Sequence, residues 1–87
     1  EEFLVICPGT DLEGARRCAE RLREKVEATE LLLGSMTYHA TMSFGVASRR
    51  HGSSVTASAE LLLKAADDAS YKSKSGGRNQ VSCACLG

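Results

Sequence analysis

Tryptophan is absent from this sequence, and aromatic residues of any kind make up only 5% of it. A core built from 87 residues without large rings must rest on Leu, Val, Ala and Met. Net charge is missing too, because 11 basic residues balance 11 acidic ones. A domain that grips nucleic acid electrostatically is usually basic along one face, so nucleic acid is not an expected partner. No apolar run is long enough to cross a membrane, and no leader-like or lipidation motif is visible. Direct membrane contact from this segment is therefore not expected. Paired cysteine clusters are also lacking. A zinc site wants about four ligands in such clusters, and Cys83-Ala84-Cys85 stands alone. Cys7 lies in an apolar run and Cys18 on an apolar helical stripe, so both read as buried free thiols. Together these absences point to a reducing, cytoplasmic setting.

What is present is ordinary for a globular chain: 43% hydrophobic and 25% charged residues, enough for one small core. Phe3 to Cys7 is an unbroken apolar run stopped by Pro8-Gly9, as in a strand covered on both faces. Thr10 and Glu13 fit a capping box, with Thr10 as N-cap. Leu12, Ala15, Ala19, Leu22 and Val26 then recur at helical spacing. The outer face of that helix is charged, with Glu13–Arg17 and Arg16–Glu20 spaced to pair. After the apolar Leu31-Leu32-Leu33 and a Gly34-Ser35 turn, residues 36–46 alternate strictly, which predicts one long strand. His39 is the one titratable group on its polar face and reads as a structural or exposed histidine. A polar stretch from Arg49 to Ser54 predicts a loop; His51 lies in it and is given no role. A second helix is expected from Ala57 to Ser73, ended by Gly76-Gly77. A short strand would begin near Arg78 to Val81, and Ser82 to Gly87 would be a frayed tail. The order is strand, helix, long strand, helix, short strand, in one domain or part of one.

Three segments resemble the GGDEF family of diguanylate cyclases. Glu1-Glu2-Phe3-Leu4-Val5 matches the signature Gly-Gly-(Asp/Glu)-Glu-Phe from its third position. Thr41 to Ala47 is similar to the family's T-x-S-x-G-V-A strand. Ala66 to Asn79 resembles A-D-x-A-L-Y-x-A-K-x-x-G-R-N nearly throughout. Any one alone is weak; all three in order are specific. The resemblance covers residues 1–81, with 82–87 outside it as a tail. It departs from the family at Ser70, for Leu, and at Ser73, for Ala, both of which would loosen the last helix.

The resemblance implies the C-terminal part of an α/β (α+β) domain, with a mainly antiparallel central sheet flanked by helices, akin to nucleotide cyclases and polymerase palms. Such a part alone would leave sheet edges and apolar faces uncovered, so a longer natural chain or association with another copy is expected. The implied reaction condenses two GTP into cyclic di-GMP with release of pyrophosphate, in a homodimer, with Mg²⁺ or Mn²⁺ as cofactor. Glu1 is the implied catalytic residue and metal ligand, with Glu2 as a second metal residue. Lys74 and Arg78 are the implied grip on the substrate phosphates. Arg21 falls where some members bind inhibitory product. The implied location is the cytoplasm, alone or as the cytoplasmic domain of a larger sensor protein. The family's other metal-binding Asp, its guanine-reading residues and its Arg-x-x-Asp motif all precede the signature. These 87 residues alone are thus expected to be inactive.

Blander readings stand beside these. Without the resemblance, Glu1-Glu2 is a polar strand edge, and Lys74 and Arg78 are cations that complement a helix C-terminus. Arg21 equally suits exposed salt-bridging. For the whole, the alternatives are a degenerate GGDEF domain acting as a nucleotide-binding or regulatory module, or a small α/β interaction module unrelated to nucleotides.

Overall fold

The computed structural model describes residues 2–50 and 59–86. Six elements follow in order: α1 (Leu12–Ala28), β1 (Glu30–Leu33), β2 (Met36–His39), β3 (Phe44–Arg49), α2 (Ala59–Ser75) and β4 (Val81–Leu86). This is the α+β class of a partial domain.

Helix α1 is capped by Asp11, not by Thr10. The Asp11 carboxylate accepts from the Gly14 amide at 2.8 Å, while the Thr10 hydroxyl donates to the Pro8 carbonyl at 3.2 Å. A carboxylate satisfies an orphan helix amide and the helix dipole together, which a hydroxyl one residue earlier does less well. Glu13 therefore does not reach back; it binds Arg16, with Nε to Oε2 at 3.0 Å. Glu13 and Glu20 pair at three-residue spacing, with Arg16 and Arg23, rather than in the expected pairs Glu13–Arg17 and Arg16–Glu20, while Arg23 also reaches Glu27 four residues on, at 3.4 Å. At the other end the Thr29 hydroxyl donates to the Lys25 carbonyl at 2.6 Å.

The alternating stretch 36–46 is not one strand. β2 pairs antiparallel with β1 from Glu30↔His39 to Leu33↔Met36. β3 pairs in parallel with β4 from Phe44↔Val81 to Arg49↔Leu86. The two halves serve different partners, so residues 40–43 leave the sheet between them. Periodicity reports which side chains share a face but not which neighbour supplies the hydrogen bonds. Gly34, at φ +65°, makes the β1–β2 turn. His39 is exposed and lies 4.0 Å from Glu30 across that hairpin.

Two further expectations are corrected. Residues 3–7 form no strand, and Phe3 and Ile6 are 77% and 76% exposed. A strand needs a hydrogen-bonded neighbour, and no described strand runs beside this segment. The expected tail is instead ordered, because 82–86 complete the parallel ladder with β3. The expected helix start at 57 and the loop holding His51 lie outside the described residues.

The core forms where α2 lies on β3 and β4, with α1 packed on the same two strands. Its buried residues are small: Ala19, Ala69 and Ser73. Small side chains let the helix backbone come close. Gly45 of β3 sits so near α2 that a Cβ there would lie 2.0 Å from the Ala66 carbonyl oxygen. Large apolar residues stay outside, including Leu31, Leu32, Leu33 and Met36 of the hairpin. Cys7 and Cys18 are half-buried rather than buried, and all four cysteines are free.

Ser73 does not loosen the helix. Its side chain is fully buried, at 0% exposure. Its hydroxyl lies 2.7 Å from the Phe44 carbonyl, to which it donates, and 2.8 Å from the Ser82 hydroxyl, from which it accepts. Ser73→Ala should cost about 1–2 kcal/mol, because Ser82 is left without its partner. Ser73→Ala with Ser82→Ala should recover part of that loss, since the Ser82 hydroxyl is then no longer stranded and only the bond to the Phe44 carbonyl stays lost. Chemical denaturation of the two variants checks this; equal losses would contradict it.

Candidate functional site

The end of α2 and the turn after it gather the cations of interest. Lys72 and Lys74 lie in the last helical turn, where positive charge complements the carbonyl end of the helix. Gly77, at φ +116°, reverses the chain. The Arg78 amide then donates back to the Ser73 carbonyl at 2.9 Å, the long-range bond of a Schellman cap. Arg78 and Asn79 follow in the left-handed region, at φ 64° and 49°. Asparagine is several-fold enriched there, whereas arginine is uncommon.

Asn79 is held by its neighbours. Its amide proton goes to the Ser43 hydroxyl at 3.1 Å. Its side-chain oxygen accepts from Arg23 at 3.0 Å, and its side-chain nitrogen donates to Glu27 at 2.5 Å. The same Arg23 binds Glu20 through Nε at 2.8 Å. The guanidinium holds the Glu20 carboxyl below the usual carboxylate range, mainly through this hydrogen bond. A depressed carboxyl stabilises the fold at neutral pH, and that contribution fades as pH falls through the acidic range where Glu20 is protonated.

Of the residues singled out from sequence, the structure brings together Lys74 and Glu2. The Lys74 Nζ lies 3.9 Å from a Glu2 carboxylate oxygen, and the two side chains are 41% and 76% exposed. An exposed pair at that distance adds little stability and leaves Lys74 available. Arg78 is exposed, and its guanidinium has no partner among the described residues. Its backbone is fixed while its charge is free. Arg21 lies elsewhere, in a shallow depression on the outer face of α1 shared with Arg16, Arg17 and Glu24. Glu1 lies outside the described residues.

An exposed guanidinium on a fixed turn and an exposed ammonium at the same helix end suit phosphate oxygens, which accept from both. A divalent cation is another matter. Among the described residues no three His, Cys, Asp or Glu side chains gather to hold a metal. Glu2 faces an ammonium rather than a second carboxylate. The described residues alone therefore do not make a metal site. Desolvation pushes the Cys83 thiol up.

Sequence reasoning missed the roles of Arg23, Glu27 and Ser43. Arg23 and Asn79 are 56 positions apart, so no local pattern links them. The one available signal was Arg-Asn directly after Gly-Gly, a setting that invites left-handed backbone.

Comparison with known proteins bears on the same residues. The family model described as diguanylate cyclase, GGDEF domain, matches residues 1–80, which include Lys74 and Arg78. Diguanylate cyclase A of Treponema denticola is 36% identical over 81 residues, covering 93% of this chain and 21% of its own. The response regulator PleD of Caulobacter vibrioides is 42% identical over 83 residues, covering 93% of this chain and 18% of its own. Diguanylate cyclase VdcA of Vibrio cholerae is 37% identical over 84 residues, at 93% and 24%. The chain thus spans about a fifth of the length of these relatives. With the match running from the first residue through the glycine turn and Arg78, the chain belongs to the GGDEF family.

Proposed function

We propose that this chain is the phosphate-gripping part of a diguanylate cyclase, a nucleotidyltransferase that condenses two GTP into cyclic di-GMP. The observation that carries the reading is the cap of α2. Within a GGDEF chain, Lys74 and Arg78 sit at one helix end, both exposed, with Arg78 unpartnered among the described residues. In the reaction the 3′-hydroxyl of each GTP attacks the α-phosphorus of the other. Two P–O bonds form, two break, and two pyrophosphates leave. Lys74 and Arg78 hold the β- and γ-phosphates and offset the charge that grows on the leaving pyrophosphate. A homodimer presents one GTP from each domain.

Glu1 is the proposed catalytic carboxylate and ligand of Mg²⁺ or Mn²⁺, with Glu2 beside it. When bound, such an ion offsets charge on the phosphate oxygens. Arg21, flanked by Arg16 and Arg17, is a proposed contact for inhibitory product. Among the described residues no helix is long and apolar enough to cross a membrane, and the proposed location is the cytoplasm.

The test is direct. The complete protein, given GTP and Mg²⁺, should release cyclic di-GMP and two pyrophosphates per product. The 87-residue polypeptide alone should release none. GTP binding without turnover by the complete protein would favour the degenerate, regulatory alternative. No GTP binding at all would sink the reading.

A further inference from the structure

Arg78 is held in an unfavourable backbone conformation, at φ 64°, yet nothing among the described residues holds its side chain. The strain is sustained from both sides of the residue. On the N-terminal side, the Arg78 amide is tied to the Ser73 carbonyl at 2.9 Å. On the C-terminal side, Asn79 is clamped by Arg23 at 3.0 Å, by Glu27 at 2.5 Å and by Ser43 at 3.1 Å. Backbone strain of this kind persists only where surrounding structure over-determines it.

The clamp is chemically specific. Arg23 and Glu27 also pair with each other at 3.4 Å, and an asparagine amide offers the first an acceptor and the second a donor. An aspartate would face Glu27 with like charge. Arg23 is only 16% exposed, and its guanidinium spans from Glu20 on its own helix to Asn79 beyond the other helix. Helix α1 therefore reaches across to the turn that carries Arg78.

We propose that Arg23, Glu27 and Asn79 form a latch between α1 and the turn after α2. It fixes the backbone from which the Arg78 guanidinium reaches the phosphates of GTP. These are positioning residues that act through Arg78, and the inference rests on the reading of Arg78 as a phosphate contact. A guanidinium on a freely rotating turn would search many orientations. One on a latched turn starts from a fixed backbone, so fewer orientations are left to search.

The experiment measures KM and kcat for GTP, with thermal unfolding, in the complete protein. The variants are Arg78→Ala, Arg23→Ala, Asn79→Gly, Glu27→Ala, Glu27→Gln and the pair Arg23→Ala/Arg78→Ala. Glycine at 79 keeps the left-handed backbone accessible and retains the amide for Ser43, so it removes the side-chain contacts to Arg23 and Glu27. Arg23→Ala, Asn79→Gly and Glu27→Ala should each raise KM about tenfold. Glu27→Gln should restore most of the affinity, because its amide oxygen still accepts from Asn79. Arg23→Ala should add nothing once Arg78 is gone, as expected for residues acting through a shared group. A KM raised by Arg78→Ala but unchanged by Arg23→Ala and Asn79→Gly would overturn the latch alone. So would full additivity in the pair, which marks a merely structural role. A wild-type KM in Arg78→Ala would overturn the phosphate reading and the latch with it.

Discussion

Gly45→Ala is expected to be the most damaging single-methyl substitution in the layer formed by α2 and β3. A Cβ at this position would stand 2.0 Å from the Ala66 carbonyl oxygen, 2.2 Å from the Ser70 nitrogen and 2.8 Å from the Ser70 Cα. All three are backbone atoms, so no side-chain rotation relieves the clash. Helix α2 would have to lift from β3, and the same contact buries Ala69 and Ser73. Overpacking of a close-packed core costs about 1–3 kcal/mol and occasionally more. The immovable neighbours place this change at about 3 kcal/mol or beyond. For a domain of this size that lowers the melting temperature by roughly 12 °C or more. Gly9→Ala is a useful comparison, because nothing lies within 4 Å of its would-be Cβ and only its φ of +64° resists. That strain alone costs about 1–2 kcal/mol. Circular dichroism melts of the two variants decide the matter. A Gly45→Ala protein melting as late as Gly9→Ala would contradict the packing described.

The second large effect is on binding, not on folding. Lys74→Ala with Arg78→Ala should weaken GTP binding by roughly a hundredfold at the least, because charge-assisted hydrogen bonds are worth about 1.5–3 kcal/mol each. Stability should barely move. Lys74 has only the exposed Glu2 pair at 3.9 Å to lose, and the described residues offer Arg78 no side-chain partner. An exposed ion pair contributes about 1 kcal/mol at most. The two predictions therefore point opposite ways: Gly45→Ala unfolds the layer, while the double variant keeps the fold and loses the ligand. A double variant with wild-type affinity would remove both residues from the site. One that also melts early would show that they serve the helix end instead.

Much of this was legible in the sequence, and the failures have physical causes. Apolar spacing placed α1, because a helix stripe is a local property of 17 residues. Gly-Gly placed the end of α2, because only glycine reaches φ +116° freely. The Thr41 to Ala47 segment was legible as a motif, but the reason for its Gly45 was not. That reason is a helix backbone over 20 residues away in the chain. The single long strand failed because alternation says nothing about which partner a strand chooses. The same blindness made a strand of residues 3–7. Ser73 looked like a weakness on a small-residue face until Ser82 appeared as its partner. At the site, Lys74 and Arg78 were found by resemblance, and the structure places both at one helix end. The latch was not visible, since its members are drawn from α1 and from the turn after α2, more than 50 positions apart.

The central claim is that Lys74 and Arg78 grip the phosphates beyond the first, and one calorimetric comparison tests it. The complete protein and its Lys74→Ala/Arg78→Ala variant are each titrated with a non-hydrolysable GTP analogue and with GMP. The account predicts that the analogue's affinity falls to the level of GMP while GMP binding stays unchanged. Equal losses for both nucleotides, or no loss for the analogue, would contradict it.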